Sequence, residues 1–188
     1  MAMAMTATTS NWNLDIVHSG VNFTVRHMVV SKVRGRFTRF TGNVQLDESD
    51  LARSVVEATI DASSIDTGTA QRDDHLRSAD FFDVEHFPQI RFRSKGIEKL
   101  GTERFRVTGD LTIRDVSREI ALEVEYGGRG KDPWGNERVG FTAKGALDRK
   151  DFGLAWNQIL ETGGVLVSDR VEIELEMQAV RAAATAAA

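Results

Sequence analysis

Apolar and polar residues alternate along most of the chain from residue 11 onward. The clearest run covers residues 104–113, in which Phe105, Val107, Leu111 and Ile113 alternate with charged and hydroxyl residues. The same alternation recurs in seven further segments, 12–18, 21–27, 40–46, 56–62, 120–126, 139–147 and 171–177. Successive side chains of a strand point to opposite faces, so this pattern is typical of strands with one buried face and one wet face. The chain is therefore predicted to be all-β, and residues such as Ile16 and His18 are expected on the inner face.

Two places interrupt the alternation. The apolar set moves from odd positions at Val33 and Phe37 to even positions from Phe40 onward, which predicts a bulge or sharp bend near residues 35–39. The segment from 66 to 82 does not alternate and contains several N-cap residues, which predicts a short helix over about residues 69–80. Pro88 then favours the start of a new strand.

Eight or nine strands that are each apolar on one face can bury those faces only against a second sheet or by closing into a barrel. The connections are mostly hairpin-like, and an eight-stranded barrel has an interior that holds side chains or one small ligand. We therefore expect one closed or nearly closed antiparallel domain over residues 11–181. Disordered segments are expected at residues 1–10 and in the Ala-rich tail at 182–188.

Composition excludes several classes of function. The chain has 24 basic and 28 acidic residues, interleaved, with a net charge of -4, and no basic stripe that would indicate nucleic-acid binding. It has no cysteine, which excludes disulfides, thiolate metal sites and thiol catalysis. No apolar run approaches the length of a transmembrane helix, and the N-terminus does not resemble a signal peptide. A cytoplasmic location is expected, or a periplasmic or secreted one if a signal was removed.

Catalytic and metal motifs are not evident. The sequence contains no nucleophile elbow, P-loop or zincin motif, so no catalytic residue is predicted. His18 and His27 share the parity of their apolar neighbours, but no carboxylate with clear ligand spacing accompanies them. The sequence therefore predicts no metal site.

Four segments resemble the YceI-like family: HSGVNFTVRHMVVSKVRGRF at 18–37, RDDHLRSADFFDVEHFPQIRF at 72–92, GDLTIRDVSREI at 109–120 and DPWGNERVGF at 132–141. The resemblance implies an extended, eight-stranded, lipocalin-like antiparallel barrel with one or two short helices. It also implies that the pore takes up a polyisoprenoid or other amphipathic lipid and that the protein is a homodimer. No cofactor is expected beyond a bound polyisoprenoid or quinone-like lipid. Many members of that family carry a secretory signal, which is not evident in this sequence.

The predicted ligand-binding residues follow from this barrel interpretation. The pore wall is predicted to comprise Phe23, Val25, Phe37, Phe92, Phe105, Leu111, Val124, Phe141 and Leu175. His27, Arg72 and His75 are predicted to lie nearest to a polar head group. Small residues on the inner face, among them Gly42, Gly109 and Gly145, are expected to leave volume open between the large ones.

Two alternatives come from other functional classes. One is a ligand-free stress-response or interaction protein whose barrel is packed solid. The other is an enzyme that acts on an isoprenoid substrate inside the barrel, with a histidine as the acid or base.

Overall fold

The computed structural model of the chain describes residues 9–28, 30–159 and 165–183. Its strands in chain order are β1 Thr9–Leu14, β2 Gly20–His27, β3 Ser31–Phe37, β4 Phe40–Asp47, β5 Val55–Asp61, β6 Ile65–Asp66, β7 Gln89–Lys99, β8 Arg104–Ile113, β9 Val116–Lys131, β10 Glu137–Asp148 and β11 Val167–Arg181. The α-helix α1 covers Ala70–Arg77, inside the predicted range. Short 3₁₀ turns lie at Ile16–His18, Leu51–Arg53, Ala62–Ser64 and Arg149–Phe152.

The strands form a closed antiparallel barrel. β1 and β2 are two halves of one bent strand, because both pair with β11. β3 and β4 are likewise two halves of one strand that pairs with β2 and β1. The order around the barrel is then β1/β2, β3/β4, β5, β7, β8, β9, β10 and β11, and β11 returns to β1. The predicted eight-stranded all-β barrel is confirmed.

The domain boundaries predicted from sequence lie close to the ends of the sheet. β1 begins at Thr9, two residues before the predicted start at residue 11. β11 ends at Arg181, where the predicted domain also ends. Disorder was predicted for residues 1–10 and 182–188; residues 1–8 and 184–188 fall outside the described residues, whereas Thr9 and Ser10 belong to β1.

A bend between β3 and β4 explains the shift in apolar positions. Phe37 ends β3 and Phe40 begins β4, and both side chains are buried. Thr38 and Arg39 between them leave the ladder, and the Thr38 amide donates to the Ser64 carbonyl at 3.1 Å. Two residues outside the ladder let side chains of opposite parity face the same interior, so the predicted bend is confirmed.

A second bend contradicts the expectation for Ile16 and His18. The Asp15 carboxylate accepts a hydrogen bond from the Val17 amide at 3.1 Å and caps the 3₁₀ turn. This turn interrupts the strand, so Ile16 is 44% exposed. His18 points outward and bonds to Asp15. The prediction that both residues face inward is wrong, because strand parity does not continue through a 3₁₀ turn.

The two ends of the barrel differ. The helix end carries α1, the β2–β3 hairpin and the segment 149–159. The loop end carries the connections 48–54, 100–103 and 132–136. These two names are used below.

The glycines of the inner face do not leave empty space. A Cβ atom on Gly109 would lie 2.5 Å from the Arg93 carbonyl oxygen and 2.6 Å from the Phe92 ring. At Gly42 and Gly145 the same atom would meet the leucine side chain of a neighbouring strand at 2.6 and 2.7 Å. These glycines let large side chains lie flat against the strands, so the expectation that they open volume is wrong.

Candidate functional site

The barrel encloses a cavity of about 630 Å³. All eight barrel strands contribute apolar side chains to its wall. It extends from Leu46 and Phe105 near the loop end to Ile65 and Phe81 near the helix end. Its volume lies within the range of small-molecule sites, which is roughly 300–1,000 Å³.

The cavity is closed at the helix end by buried side chains. Ile65, Phe81 and Leu154 line it there and are 1%, 6% and 4% exposed. Phe82 packs edge-on against Phe37 with ring centroids 5.7 Å apart. The sequence motif that supplies Phe81 and Phe82 therefore forms an apolar floor rather than a catalytic or metal site.

The cavity opens to solvent at the loop end. Glu48, Lys99, Thr102 and Arg129 line this part of it, and all four are exposed. They come from three different connections or strand ends, those of β4, β7–β8 and β9. This ring of polar side chains is called the mouth below. One end of the cavity is thus apolar and closed, and the other end is polar and open to solvent.

An aromatic and ionic network fixes one side of the mouth. The Arg129 guanidinium lies 5.0 Å from the centre of the Trp12 ring, and Trp12 itself is 1% exposed. The Trp12 indole N–H donates to Ser10 Oγ at 2.9 Å, and that hydroxyl donates to Glu48 at 3.0 Å. These contacts hold Arg129 and Glu48 near each other, with Arg129 Nη1 3.9 Å from the Glu48 carboxylate.

Glu137 completes the network outside the mouth. It accepts hydrogen bonds from Arg181 at 2.6 Å and from Arg129 at 2.9 Å. These two guanidinium groups, Arg181 first, lower the pKa of Glu137 to about 2. Glu137 is therefore ionised at neutral pH and its charge is already paired.

Most of the predicted pore wall faces the cavity. Eight of the nine predicted residues line it, namely Phe23, Phe37, Phe92, Phe105, Leu111, Val124, Phe141 and Leu175. Val25 does not line it and instead pairs with Val33 and Val171 where β2 runs towards the β2–β3 hairpin. Contact of the eight residues with a ligand stays a prediction.

The three residues predicted at a head group lie away from the cavity wall. Arg72 donates to the carbonyl oxygen of Thr67 at 2.8 Å and to its hydroxyl at 2.7 Å, so it closes the loop before α1. His27 ends β2 opposite Ser31, at the base of the hairpin. A local loop contact uses the Arg72 side chain, and His27 lies at the hairpin end of its strand, neither of which sequence spacing alone revealed.

His75 is also held by neighbours outside the cavity. Its Nε2 atom lies 2.9 Å from the Asp80 carboxylate, and its ring packs edge-on against Trp156 at 4.6 Å between centroids. Phe81 also packs edge-on against the imidazole at 5.1 Å between centroids, and Phe81 and Trp156 contact each other at 5.3 Å. His75 therefore supports the floor of the cavity from behind.

The residues at the mouth were not found by sequence reasoning. Arg129 faces inward because β9 carries one extra residue, Gly127, between the pairs Phe141–Tyr126 and Gly140–Gly128. Such a bulge reverses the parity of the residues that follow. The Gly127-Gly128 pair was the available signal, because glycine inside a strand often marks a bulge.

Arg149 is a second residue that the sequence did not single out. It is 4% exposed and lies at the closed end of the cavity. Its guanidinium donates to the carbonyl oxygens of Ser168 at 3.0 Å and Trp156 at 2.8 Å, and also to that of Leu154. Burial lowers the pKa of this group from its usual value. Arg149 thus anchors the chain between β10 and β11 through the backbone.

No metal site or membrane-spanning helix is found in the part of the chain that the structure describes. Over residues 9–28, 30–159 and 165–183, no three histidine, aspartate or glutamate side chains are grouped so as to hold a metal ion. Within the same ranges, no helix combines the length and the hydrophobicity that crossing a bilayer requires.

Comparison with known proteins identifies the class of this barrel. The model of the YceI-like domain matches residues 12–179, and the chain belongs to this family. A UPF0312 protein of Photorhabdus laumondii is 41% identical over 151 residues, covering 79% of this chain and 78% of the relative.

Solved structures agree with the fold. The YceI protein of Campylobacter jejuni superposes with a TM-score of 0.72 at 31% identity, covering 84% of this chain and 90% of that one. A domain from Saccharophagus degradans, described as polyisoprenoid-binding, superposes with a TM-score of 0.65 over 91% of this chain and 98% of its own. At 15% identity, this second likeness concerns the fold alone.

Proposed function

We propose that the protein binds a long isoprenoid or other amphipathic lipid in the barrel and sequesters or carries it. The observation that carries this proposal is the cavity of about 630 Å³, which has an apolar wall, a closed floor and one polar mouth. The family membership and the polyisoprenoid-binding description of the Saccharophagus degradans domain support the same class of ligand.

The volume is large enough for a long apolar chain. An apolar cavity of roughly 150 Å³ accepts one benzene ring, so 630 Å³ corresponds to about 25 carbon atoms. Burial of each methylene-sized unit in such a wall contributes about 0.8 kcal/mol. A chain of that length gains enough from burial to offset the cost of its ordering.

The shape of the cavity suggests the direction of the ligand. The tail would lie against Phe81 and Ile65 at the closed end, and the head group would lie at the mouth, near Lys99 and Arg129. This orientation replaces the expectation that His27, Arg72 and His75 meet the head group.

The geometry of the cavity does not favour either of the two alternative functions. A barrel packed solid would not contain a cavity of this size. Histidine is not found among the cavity-lining residues of the described chain, so the proposed acid or base for an isoprenoid enzyme is not in place. Binding without catalysis is therefore the function that we propose.

The homodimer and the cytoplasmic location are further parts of the proposal. The homodimer is what the family resemblance implies, and the cytoplasmic location has a periplasmic or secreted location as its alternative. Light scattering on the purified protein tests the first. Cell fractionation of the native organism tests the second.

Mass spectrometry of an organic extract tests the main proposal. Protein purified without detergent should release a long-chain lipid, and delipidated protein should take up a fluorescent prenol. Lys99→Glu should weaken uptake of an anionic prenyl phosphate more than uptake of the neutral prenol. Lys144→Glu is the matched control, because Lys144 lies on the outer face of β10 beside Glu174. An empty extract together with no uptake would rule the proposal out.

A further inference from the structure

Two turns hold large apolar side chains out in water. Val17 is 87% exposed and Ile16 is 44% exposed on the 3₁₀ turn between β1 and β2. Trp134 is 81% exposed on the loop between β9 and β10. These positions contrast with the other two tryptophans, Trp12 and Trp156, which are buried and partly buried. The cavity does not account for any of the three exposed side chains.

The loop that carries Trp134 is rigid. The Asp132 carboxylate, whose side chain is 5% exposed, accepts hydrogen bonds from the amides of Trp134 at 3.0 Å and Asn136 at 2.9 Å. It also accepts one from the Asn136 side chain at 3.0 Å. Gly135 has a φ of 88° and donates back to the Asp132 carbonyl at 2.9 Å. The backbone that carries the indole is thus held in place, which reduces the ordering cost of any contact that the loop makes.

Arg138 joins this loop to the other turn. Its Nε atom donates to Asp132 at 2.9 Å, and its Nη1 atom donates to the Asp15 carboxylate. Asp15 in turn accepts from the Val17 amide. One guanidinium therefore holds the carboxylates under both turns, so Val17 and Trp134 lie on the same flank of the barrel. Ile16, Val17 and Trp134 are called the turn pair below, and Lys131 ends β9 just before the Trp134 loop.

The turn pair presents apolar groups to solvent, with the carboxylates beneath it covered and a basic residue next to it in the chain. The side chains of its two carboxylates, Asp15 and Asp132, are only 14% and 5% exposed. Lys131 is exposed, and within the described ranges no ion pair involves it. His18 is 59% exposed at the edge of the turn pair. The two carboxylates that hold the turns are thus covered, while the ammonium group of Lys131 is exposed.

We propose that the turn pair docks the protein on an anionic lipid bilayer. Protruding apolar side chains that insert at the depth of the head groups, with basic residues beside them, are typical of interfacial membrane binding. Tryptophan suits this position because it is apolar in bulk and has one polar N–H. The choice of a bilayer over a protein rests on the proposed function. The Trp134 loop belongs to the loop end, where the cavity opens, and a bilayer is a source of long apolar chains.

Vesicle sedimentation of the full chain tests the docking. The probes are vesicles of phosphatidylcholine alone and of equal parts phosphatidylcholine and phosphatidylglycerol. The double variant Val17→Ser with Trp134→Ser should bind the mixed vesicles about tenfold or more weakly than the wild type. The matched control is Val30→Ser with Ile159→Ser, since these side chains are 88% and 84% exposed but lie at the helix end. The control should bind as the wild type does.

Two additional variants separate the contributions. Lys131→Glu should lower binding to the mixed vesicles and leave binding to phosphatidylcholine alone unchanged, because only the first carries negative charge. Asp132→Asn should weaken docking because it loosens the loop while the indole remains. Quenching of the Trp134 fluorescence by iodide should fall on vesicle binding, as judged against Trp134→Phe.

The outcomes distinguish docking from ligand binding. Uptake of a prenol from solution is measured separately, and the double variant should retain it. Equal vesicle binding by the wild type and the double variant would overturn the docking proposal whatever the uptake result. A double variant that loses only self-association in sedimentation velocity would also overturn it and identify the turn pair as an interface between copies. Loss of uptake with docking intact would count against the proposed function instead.

Discussion

Replacing Leu111 by tryptophan separates a barrel that contains a ligand cavity from one that is packed solid. Leu111 is 7% exposed, lies within β8 opposite Phe92 of β7, and lines the cavity. In a packed core the larger ring would cost about 1–3 kcal/mol of folding free energy. The cavity is about four times the roughly 150 Å³ that accepts a benzene ring, so an indole fits without displacing the wall. We therefore expect a loss of stability below about 1 kcal/mol.

The assay needs two measurements on the same protein. Urea unfolding followed by circular dichroism gives the free energy of unfolding, and titration with a fluorescent prenol gives uptake. Leu111→Trp should nearly abolish uptake because the ring occupies the path of the chain. Thr112→Trp is the control, since Thr112 points outward on the same strand and bonds to Ser117. A fall of about 1–3 kcal/mol with uptake unchanged would refute the cavity argument.

Three further predictions address stability. Arg149→Ala should lower the free energy of unfolding by about 3 kcal/mol or more in urea titrations, because it leaves buried carbonyl groups unpaired. The control Arg118→Ala, at the exposed surface, should change the free energy of unfolding by less than about 0.5 kcal/mol. Hydrogen bonds, led by that of Asn136, lower the pKa of Asp132 to about 2, well below the usual value for an aspartate. This group therefore contributes stability above about pH 4 that is lost as the pH falls towards 2. Asp132→Asn should accordingly flatten the acid end of a melting-temperature profile, and Asp74→Asn should leave it as in the wild type. Chelation of divalent ions should leave both melting temperature and prenol uptake unchanged, and a loss restored by one metal ion would contradict this.

Sequence alternation was enough to predict the barrel and most of its inner wall. Each strand carries one apolar and one polar face, and strand geometry converts that periodicity directly into facing. Phe105, Leu111 and Phe141 therefore had to point the same way once their strands joined one closed sheet. The bend after Phe37 was also predictable, because apolar residues on both sides of it required burial.

Parity arguments failed where the backbone leaves the regular strand. The 3₁₀ turn at Ile16–His18 depends on Asp15, whose carboxylate is held by Arg138, a residue 123 positions away in the chain. The bulge at Gly127 turned Arg129 inward to stack on Trp12. Both events are local in the chain, but contacts with distant strands stabilise them.

What the sequence by itself determined is the barrel, because the facing of each side chain follows from a repeat of two residues within one strand. Only the tertiary structure decided where the barrel is open. Closure by Phe81, a floor braced by His75 and a mouth formed by Lys99 and Arg129 depend on which connections meet at each end. The same holds for the glycines, since Phe92 covers Gly109 only because β7 and β8 are in register. Distances between segments far apart in the chain set these features, and a periodic pattern contains no information about such distances.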